Sequence, residues 1–184
     1  MSKKFAAAGL LLLFAALLVK AEPKAKEPLR VVPSLDLRRY AGLWHEVARL
    51  PNRFEEKCAG DVTAEYTPKE GGGIRVVNRC RRRDGKMAEA VGEARRAGGA
   101  GPDSRLEVRF APAPLSFLPL VWGDYQVIEL APDYTHAVVG SPDRKYLWVL
   151  ARSPRLDEET YLRLLEGARA QGFDVSRMIR TKHG

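Results

Sequence analysis

From Leu43 to Arg152 the chain alternates short runs rich in β-branched and aromatic residues with clusters of Pro, Gly, Asp and Ser. This alternation predicts eight strands near 43–50, 61–67, 73–80, 87–95, 105–111, 123–130, 134–140 and 146–152. Breakers fall between them at Pro68 to Gly73, Ala97 to Pro102, Pro112 to Pro119, Pro132-Asp133 and Ser141-Pro142-Asp143. Beyond Arg152 the apolar period lengthens. Tyr161, Leu164, Leu165 and Ala168 share one helical face, with Asp157 placed to cap its start and Gly172 to end it. Phe173, Val175 and Ile179 then predict a short extended segment. The expected fold is all-β, an eight-stranded antiparallel up-and-down barrel with a C-terminal α-helix packed outside. A closed barrel of eight strands is about the smallest that holds one small ligand, so this architecture is a binding site by default.

The first residues read as an export signal. Lys3 and Lys4 precede an uncharged apolar run from Phe5 to Val19, and Val19-Lys20-Ala21 offers small residues for cleavage. The expected organisation is a signal peptide over 1–21, an extended Pro-containing leader over 22–34, and one domain over 35–184. The whole chain carries 31 basic and 23 acidic side chains, a net charge of +8. Cleavage after Ala21 removes Lys3, Lys4 and Lys20, leaving 28 basic side chains against 23 acidic and a charge of +5. Moderate basicity suits nucleic acid, anionic membrane or acidic small ligands. An exported chain without a recognition helix, zinc-finger spacing or aromatic ribonucleoprotein motif is not expected to bind nucleic acid.

Cys58 and Cys80 flank the hairpin predicted to turn near residue 70, so they fall nearly opposite one another. In an exported protein they are expected to form a disulfide. His45, His136 and His183 show no metal spacing, and no serine-hydrolase elbow, zinc-protease helix or phosphate loop is present. No metal, no cofactor and no catalytic residue is expected.

Three separated blocks carry a resemblance to a known family. Gly42-x-Trp44 runs on into Ala48-Arg49-Leu50-Pro51-Asn52-Arg53-Phe54; Tyr125, Val127, Ile128, Leu130, Asp133 and Tyr134 form the second block; Leu147-Trp148-Val149-Leu150-Ala151-Arg152-Ser153-Pro154 form the third. In this order and spacing they resemble the lipocalins, most closely the bacterial lipocalins and the apolipoprotein D group. The likeness covers the whole mature domain. It implies the calyx fold, with Gly42, Trp44 and Arg152 as structural residues that close one end of the barrel by cation–π contact and packing. No cysteine lies near the cleavage point, so the lipoprotein anchor of some members is not expected; the resemblance implies an exported, periplasmic or envelope-associated protein.

Arg152 must face inward to cover Trp44, and side chains on a strand alternate faces. Counting from these two residues turns Glu46, Ala48 and Leu50 inward on the first strand, and Tyr146, Trp148 and Leu150 inward on the last. The expected ligand-binding residues are Trp148, Tyr146, Asn78, Tyr66, Tyr125, Phe110, Val76, Ala64 and Phe54, an apolar lining with few polar groups that suits a hydrophobic ligand oriented by one polar end. Odd-numbered loops open at the mouth and collect a basic rim that includes Arg53, Arg81, Arg82, Arg83 and Arg144, placed to attract an acidic head group. The apolar fifth loop, 112–121, is expected either to touch a membrane peripherally or to fold over the barrel as a lid.

The function these readings favour is binding and carriage or storage of a hydrophobic ligand, a fatty acid or lysophospholipid-like lipid, rather than catalysis. Two alternatives stand beside it: an isomerase-like lipocalin enzyme using a free cysteine, and an envelope interaction protein with a filled barrel. A homodimer is left open.

Overall fold

Asp36 opens the first helix: its carboxylate accepts hydrogen bonds from the amides of Arg38 and Arg39 and so caps α1, Leu37–Tyr40. The computed structural model describes residues 27–70, 72–98, 102–110 and 121–184. The strands follow as β1 Gly42–Arg49, β2 Cys58–Pro68, β3 Ile74–Arg82, β4 Met87–Arg96, β5 Arg105–Arg109, β6 Gly123–Leu130, β7 His136–Gly140 and β8 Leu147–Ala151. Helix α2, Glu158–Ala170, a 3-10 turn at Val175–Arg177 and β9, Ile179–Arg180, complete the chain. Consecutive strands pair antiparallel from β1 to β8, and β8 pairs with β1 to close the barrel. All eight predicted strands are present, with their ends moved by at most three residues.

Two apolar cores result from the alternation of faces. The interior core holds Tyr40, Trp44, Tyr66, Val76, Leu106, Tyr125, Val127, Val139 and Leu150. The outer core lies under α2, where Tyr161, Leu164 and Ala168 meet Ile128, Val138, Leu147, Val149 and Ala151. Asp157 caps α2 by accepting from the Thr160 amide at 2.8 Å, and the chain leaves the helix through Gly172 at φ +88°.

One expectation fails on β1. Glu46 pairs with Leu150 but Ala48 pairs with Val149, so Val47 is an extra residue, a β-bulge. The bulge reverses the parity beyond it. Ala48 and Leu50, expected inward, belong to the outer core, and Arg49 takes the inward side of the strand opposite Trp148. Strand period alone could not show this, because one inserted residue moves every later side chain to the other face.

The upper half of β1 is bordered by the C-terminal segment. Ile179 and Arg180 pair with Arg49 and Ala48, the Thr181 amide donates to Val47 O, and the Asp61 amide of β2 donates to Lys182 O. The final extended segment thus fills the wall between β1 and β2. Residues 27–34 of the leader are extended but docked: Leu29 is buried in the outer core and the Val32 amide donates to Val127 O at 3.0 Å. Residues 1–21, where a signal peptide is expected, lie outside the described residues, as does the fifth loop apart from Val121.

Candidate functional site

The barrel is sealed at the end where β1 begins. The Arg152 guanidinium lies 3.9 Å from the Trp44 ring centroid and donates to Leu43 O and Arg39 O at 2.8 Å and to Tyr40 O at 3.2 Å. Trp44 Nε1 also donates to Tyr40 O, at 2.8 Å. Gly42 enters this corner at φ +93°, a conformation other residues rarely adopt. Every hydrogen bond of Trp44 and Arg152 here ends on main chain. Gly42, Trp44 and Arg152 thus meet at one corner of the barrel.

Above the floor Tyr125 bridges two other phenols. Its hydroxyl is 2.7 Å from that of Tyr40 and 2.9 Å from that of Tyr66. Burial pushes all three phenols up, Tyr66 to about 12, so they stay protonated. Three hydroxyls share two contacts, which leaves one O–H to donate elsewhere. Tyr66, Tyr125 and Val76 therefore come together as expected, joined by Tyr40, which strand reasoning missed because it belongs to α1.

At mid-height Ala64 and Asn78 are register partners on β2 and β3, on the faces of Tyr66 and Val76. Asn78 Oδ1 is buried without a hydrogen-bond partner. The neighbouring positions of β4 on this face are Ala88, Ala90, Gly92 and Ala94, none with a side chain larger than a methyl group. Phe110 sits at the edge of this region, 43% exposed, with its ring closing over Gly92.

The mouth gathers the remaining predicted residues. Phe54 is 62% exposed and its ring lies 5.5 Å from that of Tyr146, which stacks at 5.9 Å and 11° on Trp148. The three rings form a track from solvent into the barrel. Arg53 lies over the Phe54 ring at 5.3 Å. Asn52 shapes the first loop by accepting from the amides of Phe54 and Glu55, which turns the Glu55 carboxylate into the mouth.

That carboxylate meets Asn52, whose Nδ2 donates to Oε1 at 3.3 Å, and two further groups. Glu55 Oε1 accepts from Trp148 Nε1 at 2.9 Å and Oε2 lies 2.7 Å from Arg49 Nε. The second contact is an ion pair without an aligned N–H, since neither atom has a hydrogen bond of acceptable angle. Arg49 is only 9% exposed, and its Nη1 is 3.6 Å from Glu46 Oε1; Glu46 is 2% exposed and also accepts from the Thr181 hydroxyl. Burial, and then the charge of Glu55 and a hydrogen bond shared with it, push the Glu46 carboxyl well above the usual carboxylate range. Sequence reasoning missed Arg49 and Glu55. The signal lay in Arg49 itself, a lone cation inside an apolar strand end and three residues after Glu46.

The basic rim is less free than its sequence suggests. Arg81 Nε lies 2.5 Å from Asp61 and Arg82 3.7 Å from Asp84, while Arg83 is exposed. Arg144 donates to the carbonyls of Gln171, Pro142 and Glu27, so it ties leader, seventh loop and helix together instead of presenting a free charge. Cys58 and Cys80 form the expected disulfide at the mouth end of β2 and β3, and these are both cysteines of the chain.

The lipocalin-like domain family matches residues 35–183. Temperature-induced lipocalin-1 of Arabidopsis thaliana is 40% identical over 158 residues, covering 85% of this chain and 83% of that protein. The outer membrane lipoprotein Blc of Escherichia coli K12 is 38% identical over 168 residues, 90% of each chain. Insecticyanin from the tobacco hornworm Manduca sexta shares the fold at a TM-score of 0.67 and 21% identity, over 89% of this chain and 88% of that one. Such relatives support hydrophobic-ligand binding in general. With a family match over nearly the whole described domain and the floor geometry above, the chain belongs to the lipocalin family.

Proposed function

We propose that this protein binds and carries or stores a hydrophobic ligand with one acidic end, a fatty acid or lysophospholipid-like lipid, in the cell envelope. The observation that carries the reading is the aromatic track of Phe54, Tyr146 and Trp148, which leads from solvent to an apolar interior whose far end is sealed. Aromatic walls above a few convergent polar groups suit an amphiphile. The similarity to an outer membrane lipoprotein supports placement in the envelope. The reading is of a carrier, not an enzyme, and the Cys58–Cys80 disulfide removes the thiol that an isomerase-like reaction needs.

One observation favours a second reading. The three tyrosines occupy the floor half of the barrel, as expected of an envelope interaction protein whose interior is filled by its own side chains. Solvent extraction of the purified protein followed by mass spectrometry separates the two. A fatty acid or lysophospholipid near one equivalent is expected; a lipid-free protein that takes up no added amphiphile would overturn the carrier reading.

A further inference from the structure

We infer that Arg49 and the Trp148 indole N–H form a receptor for a single monoanionic head group, and that Glu55 occupies this receptor as a resident surrogate until ligand displaces it. The inference rests on the carrier reading and adds where the acidic end sits and what it must replace. Arg49 and Trp148 are register partners on adjacent strands, and the bulge at Val47 turns Arg49 to the interior face that Trp148 occupies. A buried guanidinium beside an indole N–H offers two convergent donors to one anion. Glu55 now supplies that anion, one carboxylate oxygen accepting from the indole N–H and the other in an ion pair with the guanidinium.

The charges in the site favour exchange over simple addition. Burial and Glu55 favour the neutral form of Glu46, and in that form the charges of Arg49 and Glu55 cancel. Replacing the Glu55 carboxylate by a ligand carboxylate or phosphodiester keeps that balance, whereas adding either without removing Glu55 would bury an uncompensated charge. Glu55 lies on the first loop, between the exposed residues Phe54 and Glu56, so rotation of its side chain returns it to water without disturbing a strand. The tethered carboxylate is always near at hand, and a free anion competes poorly with it. A hydrophobic tail supplies the difference, at about fourfold in affinity per buried methylene. The receptor therefore selects amphiphiles that carry one negative charge. Of the rim arginines, Arg81 and Arg82 are paired with Asp61 and Asp84, and Arg144 donates to main-chain carbonyls.

The test titrates oleate, an oleoyl lysophosphatidylglycerol and oleyl alcohol against the full protein, reading Trp fluorescence, in wild type, Arg49→Met, Glu55→Gln and the neighbouring Glu56→Gln. Arg49→Met is expected to weaken the anionic amphiphiles by about tenfold or more and to leave the alcohol within about twofold. Glu55→Gln removes the charged competitor and is expected to tighten the anions several-fold, with Glu56→Gln unchanged. Loss confined to oleate identifies a carboxylate head, loss confined to the lysophospholipid a phosphodiester, and loss of both a receptor for either. Should Arg49→Met not fold, Glu55→Gln still decides. Unchanged or weaker anion binding in Glu55→Gln, or equal losses for acid and alcohol in Arg49→Met, overturns the receptor and leaves the carrier reading intact. Failure of wild type to bind any of the three defeats both.

Discussion

The two ends of the barrel each set an arginine beside a tryptophan, and they use the pair in opposite ways. At the floor, Arg152 covers Trp44 and donates to main-chain carbonyls of Leu43, Arg39 and Tyr40. Those acceptors are held by α1 and β1 and cannot leave without unfolding the strand. At the mouth, Arg49 and Trp148 both meet one side chain, the Glu55 carboxylate, which sits on a loop. A guanidinium bonded to backbone acts as a rivet. The same group facing a side-chain carboxylate is a receptor with an exchangeable occupant. The chemistry of the partner, more than the cation, decides which end opens.

The comparison breaks most visibly at the floor. Trp44 is fully buried, and truncating a buried tryptophan removes its transfer free energy and leaves a cavity. Trp44→Ala is expected to cost about 3–5 kcal/mol of stability in urea unfolding, while the folded fraction keeps its preference for oleate over oleyl alcohol. A large change in that preference with little loss of stability would show that floor and mouth are coupled, and the division between rivet and receptor would fail.

The floor was legible in the sequence because it depends on residues at strand ends with fixed spacing. Gly42, Trp44 and Arg152 needed only the order of the strands, and the interior positions of Tyr66, Val76 and Trp148 followed from period two, whereas the parity of the strand bearing Tyr125 was ambiguous. The mouth was hidden for two reasons. The bulge at Val47 leaves no mark in the apolar pattern, since Ala48 and Leu50 are apolar on either face and find a second core under α2. Glu55 lies in a loop where charge is the default, and its inward turn depends on the Asn52 side chain bonding two amides. Local pattern reports which face a strand residue takes. It does not report which loop residue reaches back.

The mouth can be sharpened by titration. The folded chain keeps on Glu46 a proton that the unfolded chain releases above the ordinary carboxyl value of 4.5. The folded pKa is raised, so this group's contribution is fully present below 4.5 and is lost as pH rises from there toward the folded value. Glu46→Gln is isosteric, keeps an oxygen for the Thr181 hydroxyl and cannot ionise. Its stability relative to wild type is expected to climb across that window in urea unfolding followed from about pH 4 to pH 8. Parallel profiles would mean that Glu46 titrates alike in both states, and the neutral charge balance around Arg49 would then be wrong.

The smallest effect is expected at the rim, and it separates attraction from recognition. Arg82 and Arg83 are exposed, and exposed charges more than a Debye length from a ligand act mainly on its rate of approach. Reversing both to Glu is expected to slow oleate association by about two- to threefold at low ionic strength, with dissociation unchanged and the difference gone at high salt. Stopped-flow fluorescence reads both rates. A change in dissociation that persists at high salt would place the head group at the rim itself, and Arg49 would then stand as a second structural arginine, like Arg152.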